Sequence, residues 1–102
     1  MHKLLVLYPE PVDPDHFRDY YVSTHLPLVA KMPGLLAYHY SFDTTATQGQ
    51  PYFAVFEAEF ADAAALAAAR ASAPGQEVSA DVANYATGGV VVMDFPVQHG
   101  AI

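Results

Sequence analysis

Four apolar runs along the chain have the length and composition of β-strands. They cover residues 4–8, 35–42, 52–60 and 90–95. In the third run every second residue is apolar, whereas Glu57 and Glu59 occupy two of the intervening positions. This alternation is typical of a strand with one buried face. A polar stretch at residues 43–50, which contains a glycine and is followed by Pro51, predicts the hairpin loop between the second and third strands.

The segment between the first two strands predicts a helix that a proline interrupts. Asp13 is suited to cap the helix, and Pro14 suits the first helical position, where its missing N–H costs nothing. We expect the helix to run until Pro27, because proline has no N–H to donate to the carbonyl four residues earlier. Pro33 and Gly34 should end the whole segment.

Alanine dominates residues 61–73 and predicts a second helix. Asp62 is suited to cap its start, and we expect Pro74 and Gly75 to close it. A further helical turn is predicted at residues 76–82, and Thr87, Gly88 and Gly89 predict a turn before the last strand.

The predicted order β-α-β-β-α-β indicates an α+β, ferredoxin-like domain that spans residues 1–102. In this arrangement a four-stranded antiparallel sheet carries both helices on one face. The first and last strands are apolar at both odd and even positions, which would leave leucine and valine exposed on the other face. We therefore expect a homodimer in which the bare sheet faces pack together as a dimeric α+β barrel.

The composition of the chain argues against several classes of binding partner. Four Lys and Arg residues against 11 Asp and Glu give a formal net charge of −7, with no basic run. Nucleic acid and anionic membrane surfaces are therefore not expected as partners. The chain has no cysteine, which excludes disulfides and thiolate chemistry. No apolar stretch approaches a signal-peptide core or a membrane span, so we expect a cytoplasmic protein.

The five histidines do not form a metal-binding pattern. They lie at positions 2, 16, 25, 39 and 99, and no pair has the spacing that places two ligands on one helical face. Gly88 and Gly89 precede a strand and lack the spacing of a nucleotide-binding loop. We therefore predict neither a metal nor a cofactor.

His25 is the strongest candidate for chemistry because it lies two residues before Pro27, at the expected helix break. Two interpretations remain open. His25 could bracket the backbone groups that Pro27 leaves unpaired, or it could face a cavity as a general acid or base. Tyr21 lies four residues earlier, so the two rings can stack on one helical face.

Two stretches of the chain resemble the EthD family, named for a protein of ethyl tert-butyl ether degradation. The first contains Phe17, Arg18, Tyr20, Tyr21, His25, Pro27, Leu28 and Met32 to Leu35; the second runs through residues 72–89, with Pro74, Gly75, Asp81, Asn84, Tyr85, Gly88 and Gly89. The resemblance implies a ferredoxin-like homodimer. It also implies cofactor-independent chemistry, of the isomerase, decarboxylase or dehydratase type, on a small apolar cyclic or aromatic metabolite.

In a muconolactone-isomerising relative, the histidine that matches His25 lies at the active site. We therefore take His25 as the candidate catalytic residue. The candidate substrate-binding residues are Tyr20, Tyr21, Asn84 and Tyr85. His39 is the nearest candidate for that relative's second histidine, and Asp81 either orients a ligand or braces the turn with Asn84. The alternatives are a non-catalytic small-molecule carrier for an oxygenase, a cofactor-free oxygenase and a haem-handling protein.

Overall fold

The computed structural model describes residues 1–102, and its four strands form one antiparallel sheet. The strands are β1 (His2–Tyr8), β2 (Ala37–Ser41), β3 (Ala54–Phe60) and β4 (Val91–Pro96). Their spatial order is β2-β3-β1-β4, with β1 and β3 at the centre. The predicted ferredoxin-like order of elements is confirmed, although β2 is shorter than expected and β1 begins two residues earlier.

The first helical segment is continuous across Pro27, so the predicted interruption there is wrong. It consists of α1 (Pro14–Tyr20), a π-helical turn (Tyr21–His25) and α2 (Leu26–Val29). Asp13 caps α1 as predicted, since its side chain accepts a hydrogen bond from the His16 N–H at 3.1 Å. Pro27 lies in the first turn of α2, directly after the π-helical turn, which accommodates the missing proline N–H.

The second helical segment corrects another prediction. Asp62 caps α3 (Ala63–Ala71) as expected, but Pro74 and Gly75 lie inside the start of α4 (Ala73–Asp81) and do not close α3. The α4 cap is Ser72, whose side chain accepts from the Gly75 N–H at 3.1 Å. The chain then continues through a 3₁₀ turn, Val82–Asn84, to the last strand.

The core lies between the helices and one face of the sheet. His2, Leu4, Val6 and Tyr8 of β1 face it, and the alternate residues of β3 from Ala54 to Phe60 are buried beside them. Rings of Tyr8, Phe17, Tyr21 and Tyr85 pack edge to face, stacked or tilted, with centroids 5.0 to 5.6 Å apart. The candidate site lies at the border of this aromatic cluster.

None of the helices has the length and apolar character that a membrane crossing requires.

Candidate functional site

The π-helical turn places His25 on the buried face of the first helical segment. Within it, the Leu26 N–H donates to the Tyr21 carbonyl five residues earlier. Pro27 cannot donate to the Ser23 carbonyl, and this missing bond favours the wider turn. The turn stacks the His25 ring on the Tyr21 ring, with centroids 5.3 Å apart and planes 24° apart.

His25 is paired with the carboxylate of Asp81, the last residue of α4. Its Nδ1 lies 2.9 Å from Asp81 Oδ2, and the two side chains are only 3% and 9% exposed. A carboxylate accepts hydrogen bonds, so His25 donates its Nδ1–H. In the neutral ring the other nitrogen, Nε2, therefore carries the lone pair.

Asp81 is itself held by two further donors. Tyr20 Oη donates to Asp81 Oδ1 at 2.5 Å, and Asn84 Nδ2 donates to the same oxygen at 2.9 Å. Burial alone would raise the pKa of Asp81, but the hydrogen bonds from Tyr20, Asn84 and His25 outweigh it and lower the pKa below its ordinary value. The carboxylate is consequently ionised at neutral pH.

The surroundings of His25 keep its imidazole neutral. Burial lowers the pKa of His25, and the hydrogen bond and negative charge of Asp81 offset this only in part. At neutral pH the pair therefore consists of an ionised Asp81 and a neutral His25 whose Nε2 can accept a proton. The same arrangement of carboxylate and imidazole orients the general base of serine hydrolases.

A cavity of about 90 Å³ lies beside His25, between the helices and the sheet. Its wall is mostly apolar and includes Val6, Phe56 and Phe60 from the sheet. The cavity opens to solvent near its exposed lining residues. Two of these are Val90 and Val92, which are 39% and 44% exposed. The enclosed space is smaller than the roughly 150 Å³ cavity that holds a benzene molecule, so a ring-sized ligand would extend into the opening.

Two polar atoms on residues that line the cavity have no hydrogen-bond partner in the protein. Tyr21 Oη is the only fully buried side-chain oxygen or nitrogen without one. His25 Nε2 also makes no hydrogen bond, and it is not among the fully buried atoms, so it is accessible. Both residues line the cavity. His25 therefore offers an accessible acceptor, and the buried Tyr21 hydroxyl is a donor that is costly to leave unpaired.

The other predicted substrate-binding residues lie behind this wall. Tyr20 and Asn84 contact the Asp81 carboxylate and do not line the cavity. Tyr85 is buried, its Oη lies 2.8 Å from Tyr8 Oη, and its ring centroid is 4.6 Å from that of His25. The three residues thus surround the His25–Asp81 pair, and of the predicted set only Tyr21 and His25 reach the cavity.

His39 lies on the opposite side of the sheet from His25. In β2 it is paired with Glu57, which faces away from the helices, and its side chain is 69% exposed. The structure therefore does not bring the two histidines together. No three His, Cys, Asp or Glu side chains converge as ligands for a metal ion.

The comparisons with known proteins agree with this architecture. The EthD domain model matches residues 9–89. An uncharacterized 11.0 kDa protein of Rhodococcus erythropolis, from the thcB–thcC intergenic region, is 34% identical over an alignment of 95 residues that covers 91% of each chain.

Two solved structures are similar over almost their whole length. An ethyl tert-butyl ether degradation (EthD) family protein from Bacillus halodurans has a TM-score of 0.88 at 26% identity, covering 96% of this chain and 99% of that one. A dimeric ferredoxin-like protein of unknown function from Thermobifida fusca has a TM-score of 0.72 at 17% identity, with 94% and 90% covered. From the match of the domain model and the Rhodococcus relative, this chain belongs to the EthD family.

Proposed function

We propose that the chain binds a small, largely apolar molecule in the cavity and moves a proton on it without a cofactor. The observation that carries this proposal is His25 Nε2, an unbonded and accessible acceptor on a residue that lines an apolar cavity, beside the unpaired, buried hydroxyl of Tyr21. Convergent polar groups in an otherwise apolar pocket are typical of ligand sites. His25 acts as the general base and then as the general acid.

The chemistry follows from the positions of the protons. His25 Nε2 removes a proton from a carbon next to a carbonyl group, so a C–H bond breaks and an N–H bond forms. The electron pair moves onto the carbonyl oxygen, and a small shift of the Tyr21 side chain allows its unpaired hydroxyl to donate a hydrogen bond to this developing oxyanion. The imidazolium is stabilised by Asp81. In a substrate whose deprotonated carbon adjoins a carbon–carbon double bond, it returns the proton to the far carbon of that bond, so the double bond shifts next to the carbonyl group and the protein is restored.

Solvent-exchange measurements test this proposal. In D₂O, the wild-type protein should accelerate deuterium incorporation next to the carbonyl of small cyclic ketones such as 2-cyclohexenone. His25→Gln should lose about 100-fold of this acceleration, in line with the usual contribution of a general base. His39→Gln is the matched control and should keep it. Equal exchange rates in wild type and His25→Gln would contradict the proposal.

A non-catalytic carrier is the second candidate, and the bridge between the first helical segment and α4 favours it. The His25–Asp81 pair joins these two segments, which is a structural role that needs no reaction. If ketones shift the NMR signals of His25 and Tyr21 but show no accelerated exchange, the carrier interpretation holds. Oxygen uptake with a bound phenol would instead indicate a cofactor-free oxygenase.

We also propose a homodimer formed through the sheet face that the helices leave open. Leu5 and Leu7 of β1 lie on this face beside Val91, Met93 and Phe95 of β4. Met93 and Phe95 are 43% and 38% exposed. A second copy would cover this apolar half of the sheet.

Light scattering should therefore give a mass twice the 11.0 kDa of the chain. Met93→Lys should give the mass of a single chain, because it places a charge in the apolar patch. A wild-type protein that remains a monomer at millimolar concentration would refute the dimer.

A further inference from the structure

One residue that lines the cavity, Arg70, is cationic, and its position bears on the charge of the ligand. Arg70 belongs to the last turn of α3 and is exposed, with no carboxylate within 4 Å of its guanidinium and no side-chain hydrogen bond. Of the other three cations, Lys3 pairs with Glu57 at 3.5 Å and Arg18 with Asp15 at 3.4 Å. The third, Lys31, is unpaired but does not line the cavity. In a chain with a net charge of −7, an unpaired arginine at the cavity is an unusual feature.

The packing of α4 on α3 holds Arg70 at the cavity. Gly75, in the first turn of α4, is buried against the end of α3, where a Cβ would lie 2.0 Å from the Ala69 carbonyl oxygen and 2.8 Å from Arg70 Cα. Only glycine permits so close an approach. The contact places Arg70 at the cavity together with Val78 and Ser79 of α4.

Side chains of opposite charge therefore lie near the two ends of α4, with Arg70 of α3 at the cavity and Asp81 behind the cavity wall. Gly75 contacts Arg70 near the start of the helix, and Asp81 holds His25 at its end. Six residues separate these contacts, which is about 9 Å at 1.5 Å per residue. An anion is disfavoured beside the ionised Asp81 and favoured beside Arg70.

On the basis of the proposed function, we infer that the ligand is a small organic acid whose carboxylate binds Arg70. Its apolar body occupies the cavity, and an oxygen at its other end meets His25 beside the Tyr21 ring. A guanidinium matches a carboxylate with two parallel hydrogen bonds. The exposed position of Arg70 suits a ligand that is too large for the enclosed space and extends to its opening.

Two probes that differ only in charge test this inference: 4-hydroxyphenylacetate and its uncharged amide, 4-hydroxyphenylacetamide. Calorimetry and the NMR signals of His25 and Tyr21 report binding. The acid should bind wild type about tenfold more tightly than the amide, as expected for one charge-assisted contact. Arg70→Gln should abolish this preference, and Arg70→Lys should keep part of it.

Lys31→Gln is the matched control, because Lys31 is also exposed and unpaired but does not line the cavity. It removes the same charge and should keep the tenfold preference. Acid and amide binding equally to wild type, or equal weakening of both probes in Arg70→Gln, would overturn the inference and leave the cavity site intact. If neither probe shifts the His25 and Tyr21 signals, both the inference and the proposed function fail.

Discussion

Similar side chains are buried on one side of the sheet and exposed on the other. On the side of the helices, His25 and Asp81 are buried, and the carboxylate accepts three hydrogen bonds. On the open side, His39 lies 3.8 Å from Glu57, and these side chains are 69% and 36% exposed. Both sides therefore carry a histidine beside a carboxylate, but only one pair is removed from water.

This difference shows that burial, more than residue type, gives a histidine–carboxylate pair its chemical character. An exposed pair is screened by solvent and contributes little to the stability of the fold. A buried pair fixes the ring orientation and decides which nitrogen carries the proton. The apolar residues differ in the same way, since Phe56 is almost fully buried whereas Phe95 is 38% exposed.

The largest expected contrast is between these two phenylalanines. Phe56→Ala should lower the free energy of unfolding by about 3 kcal/mol, because it opens a cavity in the core. Phe95→Ala should lower it by less than about 1 kcal/mol in the isolated subunit. Urea unfolding at low protein concentration measures both values. Equal losses would mean that the two sides of the sheet are equally covered in the subunit.

A smaller contrast is expected between the two carboxylates. Asp81→Ala leaves the donors of Tyr20, His25 and Asn84 without their acceptor and should cost about 2 kcal/mol of unfolding free energy. Glu57→Ala removes a partly exposed ion pair with Lys3 and should cost less than about 1 kcal/mol. Thermal unfolding of the two variants at pH 7 compares them, and similar melting temperatures would contradict the assigned role of Asp81.

The smallest expected effect is on the pH dependence of stability. Because burial lowers the pKa of His25, the unfolded chain takes up a proton at a higher pH than the folded chain. The stability that the neutral His25 ring contributes is complete above about pH 6.5. It is lost as the pH falls through the pKa that His25 has in the folded protein.

Urea unfolding between pH 7.5 and pH 5 should therefore show a declining free energy in wild type. His25→Gln should flatten this decline, and His39→Gln on the open side should leave it unchanged. A decline of the same size in His25→Gln would assign it to other groups.

Local chemistry is what the sequence predicts best. Asp13 and Asp62 cap the helices where expected, and the alternation in the third strand correctly indicates the buried positions of β3. These features depend on residues within a few positions of each other. The proline prediction failed at Pro74 because this residue lies in the first turn of a new helix, where its N–H is not needed. It failed at Pro27 because the π-helical turn before this residue accommodates the missing hydrogen bond.

The partner of His25 could not be found from local pattern. Asp81 lies 56 residues away along the chain, and only the packing of α4 against the first helical segment brings the two together. The sequence does, however, contain one signal for the π-helical turn. The buried positions Phe17, Tyr21, His25 and Val29 are each four residues apart. An unbroken α-helix would rotate the last of these by about 120° from the first.

The π-helical turn contains one residue more than an α-helical turn, and this extra residue aligns the His25 ring with the Tyr21 ring. Removing one residue between Tyr21 and His25 would restore ordinary α-helical pairing and leave α2 in its place. The histidine would then follow Tyr21 by three residues, about 60° short of a full turn of the helix, and the two rings would no longer be aligned. A single codon lost in this short stretch would thus leave the helix continuous while displacing the imidazole of the site.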